Sequence, residues 1–460
     1  MKKTSSQNKM AEMPPKKLLI SLGLPMIISM MLQALYNIVD SAFIGGMSTN
    51  SESALNALTL AFPVQMLMVA ISIGTGVGAN ALLSKTLGQN DREKASRIAG
   101  NSVFLGLVIC AAIMLFGVFG VDIYINSQTE NALIANMASS YLRICCIISF
   151  GSVFFSIFEK LLQSTGLSLF STIAQIAGAI VNIILDPIFI YGIGFVPEMG
   201  IEGAAIATVI GQIVSFLLAF FFHLRYNKDV DNKISYIRPS WSLIKAIYAI
   251  GFAAIIAQAL TSFMTYGINI ILGHIDENLV TAYGLYYKIQ QFVIFAAFGL
   301  RDAMTPVISF SHGMRDGKRV SEGAKYGTIY TLAIMFLGTV VLEIFARPIA
   351  SMFNLSEVTE GLMTDAVRVI SISLMFAGFN IAMQGVFQAL DGGMASLVIS
   401  VCRQFLLVIP VAYIFSLFVK PDLSNSVMLW FTFVIAEAVS AAIAAYFMFR
   451  IYKKTIKPLK

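Results

Sequence analysis

Asp40, in YNIVDSAF, and the pair Asn182 and Asp186, in VNIILDPIFI, interrupt runs that are otherwise apolar enough to span a bilayer. An acidic side chain at the centre of a membrane helix costs about 2.5–3.5 kcal/mol on insertion scales, so it normally faces a bundle interior or a wet cavity and marks a path for ions, protons or substrate. Asn182 and Asp186 are spaced i, i+4 and therefore share one helix face. With the hydroxyl of Thr208 they form a set of hard oxygens suited to Na+ or to a proton. Two carboxylates in such a site would titrate as a coupled unit. A plainer use of Asp186 is also open: it precedes Pro187 and could bond backbone groups that the proline frees.

Positioning these groups requires membrane helices. The chain is 57% hydrophobic and only 12% charged, with a mean hydropathy of +0.80, whereas soluble domains carry roughly 25% charged residues. Apolar stretches recur near 18–46, 55–84, 98–121, 134–162, 167–194, 200–225, 242–273, 279–310, 325–346, 364–389, 394–419 and 425–450, which is twelve spans. Lys2, Lys3, Lys9, Lys16 and Lys17 precede the first span, Lys85 to Arg97 follow the second, Arg225 to Arg238 the sixth and Arg315 to Lys325 the eighth, and Arg450 to Lys460 close the chain. The alternate loops at 48–53, 122–131, 197–202 and 274–278 carry no Lys or Arg. Positive charge concentrates on the cytoplasmic side, so both termini are expected inside, with the protein multi-pass in a plasma membrane. The same loops account for the basic pI of about 9.0 without nucleic-acid binding.

Compared with itself at a fixed shift of 225 residues, the chain pairs Gln33 with Gln258, Gly88 with Gly313, Asp91 with Asp316, Arg143 with Arg368, Gln163 with Gln388 and Ser171 with Ser396. Rare polar matches of this kind indicate two halves of six spans each. Six is even, so the halves share one orientation, a repeat about an axis along the membrane normal. The expected fold is all-α, a polytopic membrane protein of twelve transmembrane helices in two pseudo-symmetric six-helix bundles. Its expected parts are an N-terminal tail (1–17), an N-lobe (18–226), a linker (227–241), a C-lobe (242–451) and a C-terminal tail (452–460). The acids are not repeated: Asp40 pairs with Thr265, Asn182 with Leu407 and Asp186 with Val411. Counted from the span ends at 1.5 Å per residue, Asp40, Asp186 and Thr208 lie at one depth, roughly 9–12 Å from the outer surface.

Gln33, Tyr36, Asn37, Gln163 and Gln258 either line a cavity or serve as hydrogen-bonding glue between helices, and both uses stay open. Arg143 reads as snorkelling to the interface, Arg301 beside Asp302 as local charge compensation, and Glu343 and Glu437 as single acids near span ends, outside any coupling role. Cys110, Cys145, Cys146 and Cys402 all fall inside spans without ligand spacing, so neither disulfides nor a metal centre are expected. No phosphate-binding GxxxxGK[ST] loop, HExxH or catalytic triad is present. The chain therefore reads as no enzyme and as needing no cofactor, with an ion gradient the remaining energy source.

LGLPM at 22–26, YNIVDSAFIG at 36–45, GQNDREKA at 88–95, NIILDPIFI at 182–190 and GIEGAAIATVIGQ at 200–212 make this chain resemble the multidrug and toxic compound extrusion family, across essentially all twelve spans. The resemblance implies export of amphipathic, often cationic, drug-like compounds in exchange for Na+ or H+, by alternating access of two lobes, in a monomer surrounded by lipid. It maps the family's amino-lobe cation site onto Asp40, Asn182, Asp186, the carbonyl of Ala204 and the side chain of Thr208, and a helix bend onto Pro25. One branch of the family also carries acids in its seventh and tenth helices, where this chain offers Gln258, Asn380 and Gln384. The chain is similar instead to the bacterial branch coupled through the amino lobe. The rival functions are a flippase for lipid-linked precursors or oligosaccharides, which would want basic residues deep in the cavity, and a non-transporting receptor or scaffold.

Overall fold

The computed structural model of the protein describes residues 5–47, 51–194, 196–353, 355–419, 423 and 425–459; within these, the side chains of residues 5–8, 36–38, 40–42, 45, 51 and 52 lie outside the described set. All regular structure among the described residues is helical. A short polar helix, α1 (Ser5–Glu12), precedes α2 (Pro15–Gly45), α3 (Ser51–Gly88), α4 (Arg92–Phe119), α5 (Val121–Asn126), α6 (Ala132–Ile147), α7 (Phe150–Ser164), α8 (Ser168–Tyr191) and α9 (Gly200–Tyr226). The second half contains α10 (Trp241–Gly273), α11 (Glu277–Gly313), α12 (Gly317–Ser351), α13 (Glu357–Ala389), α14 (Gly393–Val401), α15 (Val408–Ser416) and α16 (Val427–Ile451).

Among the described residues eleven helical segments are long and apolar enough to cross a membrane, and twelve when α6 and α7, bent by 47° at their junction, count as one span. The fourth span is thus two helices where the sequence reads as one over 134–162. Ile148 leaves the helical region (φ −103°, ψ 33°), and beyond the break Gly151 brings the backbone of α7 against α9, where a Cβ would stand 2.9 Å from Ile213 N. The eleventh span is also irregular: a wide π turn over Cys402–Leu406 separates α14 from α15. Large apolar side chains such as Leu115, Phe119, Phe336, Leu337 and Ile344 point outward, which water would penalise and lipid welcomes.

The repeat is visible in backbone geometry. Asn90 and Arg315, one shift apart, both adopt positive φ (61° and 57°). The next residues, Asp91 and Asp316, cap the following helices by accepting from Lys94 N and Arg319 N, each at 3.0 Å. Gly166 and Asp391 form a second equivalent pair, at φ 80° and 60°. Identical turns at identical spacing need the same supersecondary structure on either side.

The described chain divides into two compact units, Met1–Glu12 with Ile28–Ile255, and Met13–Ile27 with Ile256–Lys460. The divisions fall inside α2 and α10, whereas the sequence-based lobes divide in the loops at 18–226 and 242–451. Close packing explains the exchange. In unit 1 a Cβ on Gly251 of α10 would lie 2.5 Å from Gly74 O on α3, and one on Gly74 would lie 2.8 Å from Ile255 N. In unit 2 the equivalent of Gly74 is Gly299 on α11, where a Cβ would lie 2.7 Å from Ile27 N on α2. Each half therefore binds the first part of the other half's leading helix through a backbone-to-backbone contact that only small residues permit.

Candidate functional site in the first unit

α8 and α9 pack almost backbone to backbone. A Cβ on Gly203 would stand 2.5 Å from Phe189 O, and one on Gly211 would stand 2.7 Å from Gly178 O and 2.9 Å from Asn182 Cβ. This antiparallel register, Phe189 with Gly203 and Asn182 with Gly211, sets Asp186 level with the turn from Ala204 to Thr208. Asp186 is fully buried, as are Asn182 and Ala204, and Thr208 is half-buried. Asn182 Nδ2 donates to Asp186 Oδ1 at 3.3 Å. Asn182 Oδ1 is buried and has no hydrogen-bond partner among the described residues. In a membrane interior such an oxygen is costly unless something electropositive visits it.

α2 is tied to α8 on either side of this point. Ser29 Oγ donates to Gln175 Oε1, Gln175 Nε2 donates to Gln33 Oε1 at 3.5 Å, and Tyr191 Oη donates to Phe43 O at 2.7 Å. Residue 40 lies on α2 between Gln33 and Phe43. The side chains of Asp40, Tyr36 and Asn37 lie outside the described residues. Pro25 sits inside an unbroken α2, two residues before the division between units.

The other polar candidates separate. Gln33 is held by Gln175, and Gln258 is half-buried in unit 2. Gln163 is buried, donating to Glu159 Oε1 at 2.9 Å and accepting from Lys160 Nζ at 3.0 Å. Both ends of its amide are thus engaged by side chains of its own helix, α7. Arg143 pairs with Asp122 at 2.5 Å, with both side chains substantially exposed, so it has a protein partner instead of merely reaching for the interface.

Sequence reasoning passed over two buried cations, Lys160 and Arg403. Lys160 is 1% exposed and lies over Gly76, whose Cβ would meet its Cγ at 2.8 Å. One shift later the chemistry is exchanged between helices: Arg301 occupies the place of Gly76 and Gly385 that of Lys160, and a Cβ on Gly385 would meet Arg301 Cγ at 2.9 Å. Arg301 pairs with Asp302 at 2.7 Å, as its neighbour in sequence suggested. The second is Arg403, in the π turn, whose Nε and Nη2 donate to Glu437 Oε1 at 2.9 and 2.5 Å. Glu437 is therefore no isolated acid near a span end, and Glu343 likewise accepts from Ser371 Oγ at 2.7 Å. A lone Arg in the otherwise apolar stretch 394–419 was the available signal for Arg403.

Comparison with known proteins places this arrangement. A multidrug export protein, MepA, of Staphylococcus saprophyticus subsp. saprophyticus is 24% identical over 422 residues, covering 92% of this chain and 91% of that protein. A solved outward-facing multidrug resistance MATE family transporter of the MOP superfamily superposes with a TM-score of 0.91 at 26% identity, covering 100% of this chain and 99% of that one. A MOP superfamily transporter from Pyrococcus furiosus Vc1, described by a reversed polarity of its binding pocket that suggests a different function, superposes with a TM-score of 0.90 at 27% identity, again covering 100% and 99%. The MatE family model matches twice, over residues 25–188 and 253–414. Matched once in each half, over most of its length, the chain belongs to the MatE family, the MATE transporters.

Proposed function

We propose that the protein is a secondary multidrug efflux antiporter that exports amphipathic, often cationic compounds in exchange for Na+ or H+, by alternating access of its two lobes. The cation seat in this reading is Asp40, Asn182, Asp186, the Ala204 carbonyl and Thr208. Asp40 and Asp186 supply the charge, and Asn182, Ala204 and Thr208 supply neutral oxygens that replace a shell of water. Filling the seat bends α2 near Pro25 and lowers drug affinity. The ion can drive this change only by the difference in its affinity for the two conformations. The observation that carries the reading is the buried Asp186 beside an Asn182 oxygen with no donor among the described residues, in the stretch 176–190 of α8 that is otherwise apolar.

The charge distribution disfavours a precursor flippase. Arg301 and Arg403 are each within hydrogen-bond distance of a carboxylate, so neither offers an open charge to a pyrophosphate. A passive scaffold would not require a carboxylate and an amide buried together in α8. We read the chain as a monomer in the plasma membrane with both termini cytoplasmic, acting as a carrier and not as an enzyme.

The test is efflux from proteoliposomes with a Na+ gradient and a pH gradient imposed separately. Asp186→Asn should reduce gradient-driven efflux to the level of empty vesicles while the purified protein keeps its elution profile and helicity. Normal driven efflux from folded Asp186→Asn protein would remove the proposed role, and the gradient that works with the parent protein identifies the ion.

A further inference from the structure

Unit 2 contains a buried acid of its own, with a cation built into its surroundings. Glu437 on α16 accepts from Arg403 Nε at 2.9 Å and Nη2 at 2.5 Å, with both side chains largely buried. Asn380 on α13, fully buried, donates from Nδ2 to Glu437 Oε2 at 2.7 Å and to the Glu437 carbonyl at 3.0 Å. Its Oδ1 has no partner among the described residues. The cluster thus repeats the composition of the seat in unit 1, a carboxylate held by an asparagine whose own oxygen lacks a donor. The positions are related by the repeat as well. Arg403 falls one shift from Gly178 and Glu437 one shift from Gln212, within the α8–α9 seam that positions Asn182 and Asp186. A glycine cannot tether a charge, and in unit 1 the helices close over it.

The π turn makes room for the tether. Leu407 N bonds Cys402 O at 3.0 Å, closing a wide turn, and within it Arg403 is buried while Phe405 and Leu406 face outward. Wide turns of this kind recur at functional positions in helices. Tyr283 on α11 stacks on Phe433, one turn from Glu437 on α16, and the other ionisable groups on α13, α15 and α16 are distant. On α13, Asp365 and Arg368 lie at least 12 residues from Asn380, about 18 Å along the helix, and Glu357 and Glu360 lie farther still. On α16, Tyr446 and Arg450 lie about 13 and 20 Å from Glu437. On α15, Tyr413 lies about 15 Å from Arg403. Cys402 is the neighbouring titratable side chain. The guanidinium of Arg403 is covalently part of the chain, so it cannot leave the site as a dissolved cation can.

We propose that Arg403 is a tethered counter-cation: its guanidinium fills a seat at Glu437 and Asn380 that would otherwise take a monovalent cation from solution, Na+ or H+, and it thereby excludes unit 2 from ion exchange. The proposal goes beyond the coupling role of unit 1 and rests on that reading only for the contrast between the units.

The experiment uses full-length protein carrying Asp186→Asn, so that the seat of unit 1 is silent. Binding of radioactive Na+ and uptake of protons on acidification are measured with Arg403 intact, with Arg403→Ala, with Arg403→Gln and with Arg403→Ala combined with Glu437→Gln. Either single Arg403 variant should gain one cation per chain, visible as Na+ binding or as proton uptake, and the combined variant should lose it. No gain in a folded Arg403 variant, or a gain that survives Glu437→Gln, overturns the proposal. If the Arg403 variants do not fold, infrared difference spectra of the protein with Arg403 in place still decide. The carboxylate band absent from Glu437→Gln should not respond to Na+, and a response overturns the proposal. Failure of the coupling role would show separately, as driven efflux persisting in Asp186→Asn alone.

Discussion

The seam between α8 and α9 and its counterpart, where α14 and α15 meet α16, descend from one repeated pattern but use their polar groups in opposite ways. In the first, Gly178 and Gly211 bring backbones together, and Asp186 is buried beside an asparagine. In the second, Arg403 stands in the place of Gly178, the helix opens into a π turn, and Glu437 is held by a guanidinium. A buried carboxylate with a fixed cation resists losing either partner, whereas in the proposed reading Asp186 takes its counter-ion from solution. On the two proposals above, the difference teaches how a pseudo-symmetric transporter restricts ion exchange to one half by changing a few residues.

The largest expected effect comes from breaking the second seam on one side only. Glu437→Gln leaves Arg403 buried without its counter-charge and should cost about 3–5 kcal/mol, read as a lower thermal midpoint in detergent. Replacing both residues by leucine should restore most of that stability. If Glu437→Gln is as stable as the parent, the pair is no buried ion pair of consequence.

In the first seam, Gly211→Val forces side-chain atoms against Gly178 O and Asn182, and overpacking of this kind costs about 1–3 kcal/mol. Driven efflux should fall further than stability, because the register of α8 on α9 sets the depth of Asp186. Equal losses in both would mean that the register matters for folding alone.

Asn182→Ala removes a neutral oxygen and the donor to Asp186. The concentration of coupling ion giving half-maximal efflux should rise about tenfold, equivalent to about 1.4 kcal/mol, with the maximal rate less affected. An unchanged ion dependence would assign Asn182 a purely structural role.

The smallest effect is expected at Arg143 and Asp122, the same type of pair at the same 2.5 Å separation but exposed on both sides. Asp122→Asn should shift the thermal midpoint by an amount worth at most about 1 kcal/mol. A loss rivalling that of Glu437→Gln would show that burial is not what separates the two pairs.

Much of the architecture was legible in the chain. Twelve apolar stretches, the spacing of Asp91 and Asp316 and the confinement of Asp40, Asn182 and Asp186 to one half all follow from residue type and position. The break in the fourth span was not legible, because Ile148 and Ser149 are ordinary residues whose conformation is set by where α7 meets α9. Gln163 was open between two uses for a similar reason: its amide is used up by Glu159 and Lys160 on its own helix, and only side-chain directions reveal that. Glu437 was set aside because its partner lies 34 residues away.

The sequence by itself determined the membrane helices, the repeat and which half carries the unmatched acids, because hydrophobic length and residue identity are local properties that survive without coordinates. Tertiary structure alone decided that the leading parts of α2 and α10 pack into the opposite units, how closely α8 and α9 approach around Asp186, and that Glu437 already has a cation. These outcomes depend on helix rotation, on how closely two backbones approach, and on which long side chain reaches which neighbour. Hydropathy carries none of that information.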